Sequence, residues 1–305
     1  MTKTKKSYRK VKDEASILTK RTKGEKILYG IVFAMFSLYA LTLIAPLLFM
    51  IVNSLQGQLE YMRNPMTLPA TLHFENYLKA FTGMKMVDSV GREIYLLEMI
   101  FNSIWYCGVT IFGSVLMSSF TGYALSKYEF KAKAVIYTLA IFSMTIPVVG
   151  TTGSMFKLVC DLKIYNTPFY AIFYSLGGFG FNFLVMYGFF KNVSWSYAEA
   201  VFIDGGGHFT VFFKIMLPQA SMSILTLAIV AFIGVWNDYM TVLLYLPDYP
   251  TLAAGLYRIK LSFTRYADFP SYYAGLVIAT VPVIIVFSCF SDTIMNNFSV
   301  GGLKG

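Results

Sequence analysis

Six stretches of this chain are apolar over the length needed to cross a bilayer as a helix, roughly 20 residues each. They run over approximately 27–52, 99–125, 134–159, 169–190, 220–246 and 272–298. In hydrocarbon every backbone N–H and C=O must be paired within the protein, so only helices and closed barrels can span. These runs are continuous and do not alternate, which excludes a barrel. The fold class is therefore all-α: a polytopic membrane protein with six transmembrane helices, one domain over 27–298. Composition agrees. Charged residues make up 13% of the chain and hydrophobic ones 56%, where an ordinary soluble domain carries about 25% charge.

The net charge of +9 invites a nucleic-acid reading, and its distribution argues against one. Ten of the 25 basic residues fall within residues 1–26, ahead of the first apolar run. Such a basic tail orients a membrane protein with its N-terminus in the cytoplasm. The run at 27–52 is too long for a signal peptide and shows no cleavage site. With the N-terminus inside, the loops that fall inside hold 16 basic residues and those outside hold 8, while Lys157 lies within the third span. Both termini are then cytoplasmic, including the short tail 299–305. The loop at 195–218 also falls inside.

No machinery for chemistry is present. The chain has no G-x-x-x-x-G-K-[ST] phosphate loop and no H-E-x-x-H, and its only histidines are His73 and His208. No Ser/His/Asp set shares a membrane depth, so a membrane-embedded enzyme is disfavoured. Cys107, Cys160 and Cys289 show no metal or redox spacing and read as small apolar fillers. No metal site is expected, and the chain is not expected to hydrolyse nucleotide itself. Energy for active transport would come from a partner or an ion gradient.

The cytoplasmic loop is the most specific feature. Tyr197–Pro218 reads YAEAVFIDGGGHFTVFFKIMLP, two short helices around a break. Ser196 and Glu199 have capping-box spacing, Ala198 and Ala200 leave a bare face, and Gly205-Gly206-Gly207 stop the helix. Pro218 is placed to start the next span. Glu199-Ala200, Asp204-Gly205, Ile215, Leu217 and Pro218 together resemble the EAA loop of ABC importer permeases. More of the chain resembles the smaller permease of the maltose-type carbohydrate-uptake branch: Pro69–Phe81, Asn102-Ser103, Gly122–Ser126, Met144–Pro147, Leu162–Thr167, Trp236–Tyr239 and Phe298–Gly305. The loop departs from the common pattern at Val201 and Gly206, both at positions where Ala is usual.

The resemblance implies the ABC importer type I permease fold and a docking role for the loop. Glu199 would form an ion pair with an ATPase arginine, in competition with its capping role. Gly205 would set the turn at positive φ. Asp204 would cap the second helix or pair across the interface, and Ile215 and Leu217 would pack. Implied partners are a second permease in a heterodimer, two ATP-binding cassette subunits that bind the ATP and Mg, an extracytoplasmic solute-binding protein met by the loop 247–271, and the lipid membrane. No cofactor is expected in the chain itself, and no nucleic acid.

A carboxylate inside a span is a candidate for function, so Asp238, with Asn237 and Trp236, is a candidate for the solute path. The alternative is a structural pair or a place near the outer interface. Phe181 and Asn182, in the run Gly177–Phe183, are further path candidates, with close helix packing as the alternative. The expected function is the transmembrane permease of an ATP-driven, binding-protein-dependent importer of oligosaccharides, working by alternating access, with helix 196–204 as a lever on spans four and five. The alternatives are a gradient-driven carrier using Asp238 and an ABC permease for peptides or amino acids.

Overall fold

The computed structural model describes residues 22–145, 150–263 and 267–300. Most of the basic tail, Ile146 and Pro147 of the third predicted span, Arg265 of the outer loop and the tail at 301–305 lie outside the described residues.

Three of the six apolar runs form unbroken helices. Helix α1, Lys23–Ser54, opens with a capping box: Glu25 N donates to Thr22 Oγ1, and Thr22 N donates to Glu25 Oε2. Helix α4 is Leu96–Lys127, and α14 is Phe269–Val300. Among the described residues only these, α14 over Phe269–Asp292, are single helices long and apolar enough to cross a membrane.

The third, fourth and fifth runs are each interrupted. The third divides into α5, Lys133–Thr145, and α6, Thr151–Asp161, with Gly150 at φ +92° ahead of α6. The fourth divides into α7, Phe169–Ser175, and α8, Phe181–Asn192, with Gly180 at φ +135°. The fifth divides into α11, Ser221–Asn237, and α12, Met240–Tyr245. Positive φ is open to glycine and strained for other residues, so Gly150 and Gly180 turn the chain immediately ahead of α6 and α8, in runs that hydropathy alone reads as continuous.

The segment 53–98 carries more structure than a loop. Helices α2, Gln58–Arg63, and α3, Glu75–Gly83, lead into strands β1, Lys85–Val87, and β2, Glu93–Tyr95. The strands pair antiparallel with Met86 opposite Ile94. Asp88 closes their turn by accepting from the amides of Val90 and Arg92. Met86 and Ile94 pack with Leu96 and Met99 of α4 and with α13, Leu252–Leu261.

Helix α4 is the hub of the molecule. Its Met99 and Cys107 join the cluster beneath the hairpin. Tyr106 packs with Tyr170, Val242 and Tyr245. Val115 and Tyr123 pack with α8 and the 195–218 loop, and Leu125 packs with Ala140 and Phe183. By contrast α1 packs along α14 and leaves Phe33, Phe36 and Leu41 exposed, an apolar face suited to lipid or another membrane chain.

Candidate functional site

The 195–218 loop is two helices joined by a tight turn. Helix α9, Ser196–Ile203, begins at Trp195, whose carbonyl accepts from Ala198 N and Glu199 N. Ser196 does not form the predicted capping box. Its hydroxyl pairs with Ser194 Oγ at 2.7 Å, and its own amide points to the same oxygen. Trp195 takes the boundary because its ring is held between Tyr128 at 5.8 Å and Phe202 at 6.1 Å. The Glu199 carboxylate is consequently exposed and bonds to no other described residue. Ala198 and Ala200 lie on opposite sides of α9, Ala198 fully buried and Ala200 exposed, as expected two residues apart on a helix.

The turn has a Schellman arrangement. Gly205 N donates to Phe202 O at 3.1 Å and Gly206 N to Val201 O at 2.8 Å, with Gly205 at φ +81°. Asp204 is the exposed C-terminal cap residue of α9 and does not cap the next helix, which follows Gly207. That next helix, α10, runs His208–Gln219 and widens to a π turn over Val211–Met216. Ile215 and Leu217 are half-buried, and Met216 between them is fully buried. Pro218 lies in the last turn of α10, and the chain then bends by 72° at the break before α11. Pro218 therefore closes the loop helix and does not open the fifth span.

Buried Ala198, Val211, Phe212 and Met216 fix one side of the loop against Tyr123, Met186 and Phe190. The other side is apolar and open: Ile203 is 86% and Phe209 70% exposed, with Tyr197 and Phe213 also bare. A carboxylate among exposed apolar side chains, on a backbone fixed from behind, has the form of a docking surface.

The Trp236-Asn237-Asp238 triplet does not form one surface. Trp236 is buried and donates its indole N–H to Ala279 O at 3.0 Å. Asn237 is exposed and donates to Ile233 O. Half-buried Asp238 accepts from Thr241 N at 3.0 Å and so caps the first turn of α12. Phe181 and Asn182 sit in the first turn of α8, exposed and half-buried, ahead of the cluster around Phe183.

Two polar constellations carry no local sequence signal. Asp248 ties together three separate segments. It accepts from Ser89 N at 2.8 Å, Ser89 Oγ and Asn166 Nδ2 at 2.6 Å, and its own amide donates to Asn166 Oδ1 at 3.0 Å. Tyr128 shares a hydrogen bond of 2.9 Å with His208 Nδ1. No group of three or more metal-ligating side chains forms among the described residues.

Residues 114–299 match the family model described as binding-protein-dependent transport system inner membrane component. The chain is 27% identical over 274 residues, 89% of its length and 87% of the relative's, to the diacetylchitobiose uptake system permease protein NgcG of Streptomyces coelicolor. It is 30% identical over 301 residues, 93% of its length and 100% of the relative's, to the arabinooligosaccharides transport system permease protein AraQ of Halalkalibacterium halodurans. Among solved structures, a chain of a bacterial ABC transporter involved in the import of the acidic polysaccharide alginate superposes with a TM-score of 0.73 at 20% identity, over 89% of this chain and 98% of that one.

Proposed function

Since the chain belongs to the family of binding-protein-dependent transport system inner membrane components, we propose that it is the permease subunit of an ATP-driven ABC importer of oligosaccharides. The chain crosses the membrane six times, the broken third, fourth and fifth runs included, with both termini in the cytoplasm. It pairs with a second permease, receives solute from an extracytoplasmic binding protein and is driven by two separate ATP-hydrolysing subunits that hold the ATP and Mg. Transport proceeds by alternating access. The substrate class is supported by the relatives named for diacetylchitobiose and arabinooligosaccharides.

The observation that carries this reading is the outward face of the 195–218 loop. Glu199, Ala200 and Asp204 stand exposed beside bare Ile203 and Phe209, on a turn fixed by Gly205. Docking of this face buries apolar area and gives Glu199 the partner it lacks among the described residues. Ile215, Leu217 and Pro218 shape the second arm, and the 72° bend directs force on that arm into α11. Of the path candidates, Trp236 and Asn237 bond to backbone carbonyls and Asp238 to the amide of Thr241, while Asn182 and Phe181 stand in the first turn of α8. Asp238, half-buried and capping α12, is the member best placed to meet solute hydroxyls.

The test is ATP hydrolysis by the assembly purified in lipid with its binding protein, comparing wild type with Glu199→Ala and Gly205→Asp. We expect ATPase subunits to copurify with the wild type, and both variants to lose solute-stimulated hydrolysis and uptake while the permease pair stays intact. Copurification without any ATPase, with uptake that collapses only when an ion gradient is dissipated, would overturn the reading.

A further inference from the structure

The inner end of α4 is stitched to both arms of the 195–218 loop. Tyr128 follows the helix directly, its amide still bonded to Ala124 O at 3.1 Å. Its hydroxyl meets His208 Nδ1 at 2.9 Å on one side and Tyr123 Oη at 3.2 Å on the other. His208 opens α10, and its ring lies 5.0 Å from Phe202 of α9 and 5.4 Å from Tyr128. The Tyr128 ring also meets Trp195 at 5.8 Å, and Lys127 Nζ donates to Val193 O. The contacts from Tyr128 and His208 thus reach the start of α9, its end and the start of α10.

We propose that Tyr128 and His208 are positioning residues that fasten the 195–218 loop to α4, so that a displacement of the loop is delivered to α4 as well as along the chain into α8 and α11. The proposal rests on the loop being the docking site described above. Packing of Ala198, Val211, Phe212 and Met216 against Tyr123, Met186 and Phe190 holds the loop from behind, but such apolar contacts are non-directional and leave the two arms free to rock about the glycine turn. A hydrogen-bonded aromatic clamp at the turn removes that freedom. Because α4 enters each of the four buried clusters among the described residues, motion delivered there reaches the outer end at Leu96 and Met99. The clamp is a hydrogen bond between two side chains with directional polar atoms, so its geometry decides whether it forms.

Two measurements test this. In the chain alone in nanodiscs, amide hydrogen exchange over 198–206 should quicken by about fivefold in Tyr128→Phe and His208→Ala, the equivalent of one side-chain hydrogen bond. It should return toward wild type in His208→Asn, which places a polar atom where Nδ1 stands, and not in His208→Gln. In the complete assembly, with spin labels at Leu97 of α4 and Phe33 of α1, trapping with ATP and vanadate should shift the label distance in wild type. The shift should shrink in Tyr128→Phe and His208→Ala, with the ATPase subunits still copurifying as in wild type, and recover in His208→Asn. Unaltered exchange in both damaging variants overturns the clamp, whatever the transport reaction. A full shift in those variants overturns its role in transmission. An absent shift in wild type tells instead against the docking role of the loop.

Discussion

A β-carbon on Gly206 would stand 2.5 Å from Val201 Cγ1 and 3.0 Å from the Val201 carbonyl oxygen. These are the two loop positions at which the chain departs from the family's usual Ala, and the structure joins them: the larger side chain at 201 fills the space the smaller residue at 206 leaves. The pair should behave as a swap. Gly206→Ala alone overpacks the turn and should destabilise by about 1–3 kcal/mol. Combined with Val201→Ala it should recover most of that loss, leaving the approach to the carbonyl. Thermal unfolding of the detergent-purified single and double variants forms a double-mutant cycle; simple additivity would show that the two sites do not touch. Asp248 gives a second residue-level expectation. Burial raises its pKa, but donation from Ser89 and Asn166 and the nearby Arg258 charge outweigh this and hold it below the ordinary value. A carboxylate with a lowered folded-state pKa contributes stability that is present above its unfolded pKa, near ~3.9, and is lost as pH falls through the folded value. Acid should therefore loosen the junction of the turn at Ser89, the Asn166 loop and the 246–250 segment. Asp248→Asn should remove that part of the pH dependence and lower stability at neutral pH, as read by unfolding midpoints across a pH series.

At the scale of elements, hydropathy located the long helices and missed the breaks. A window sum over 169–190 or 220–246 is dominated by Phe, Leu, Ile and Val, and one glycine or aspartate barely changes it. What ends the helices is backbone geometry: Gly180 at φ +135° ahead of α8, and the Asp238 side chain bonding to Thr241 N ahead of α12. The glycine stop at 205–207 was legible because it follows a short helix and carries a known pattern. The capping box at Ser196 was misread because the spacing of Ser and Glu does not reveal that Ser194 would capture the Ser196 hydroxyl, or that aromatic packing would set the boundary at Trp195. The Asp248 and Tyr128–His208 links were not legible at all, since they join residues 159 and 80 positions apart. The cap reading of Asp238 makes a prediction of its own. Asn and Asp cap helices almost equally well and Ala does not, so Asp238→Asn should keep the unfolding midpoint while Asp238→Ala costs about 1 kcal/mol. If uptake then fails in Asp238→Asn at unchanged stability, the carboxylate charge acts on solute and the cap is incidental.

For the molecule as a whole, the decisive length is that of α4. Its 32 residues rise about 48 Å, more than the roughly 30 Å of bilayer hydrocarbon. The hairpin turn at Asp88–Gly91 lies just ahead of its first residue, and the 195–218 loop packs on its last turns through Tyr123 and Tyr128. One rigid helix therefore holds these two surfaces apart by more than the apolar thickness, which is the separation that the proposed topology, with the hairpin outside and the loop inside, requires. Val90 at the hairpin turn is 83% exposed and Ile203 86%, so single cysteines there, in a background lacking Cys107, Cys160 and Cys289, report each face directly. A membrane-impermeant maleimide added to intact spheroplasts should label Val90→Cys at once and Ile203→Cys only after the membrane is opened. Adding the ATP-hydrolysing subunits to inside-out vesicles, where Ile203→Cys faces the medium, should then protect Ile203→Cys from the reagent. Labelling of both positions in intact spheroplasts would refute the crossing of α4 and, with it, the placing of the loop where an ATPase could reach it.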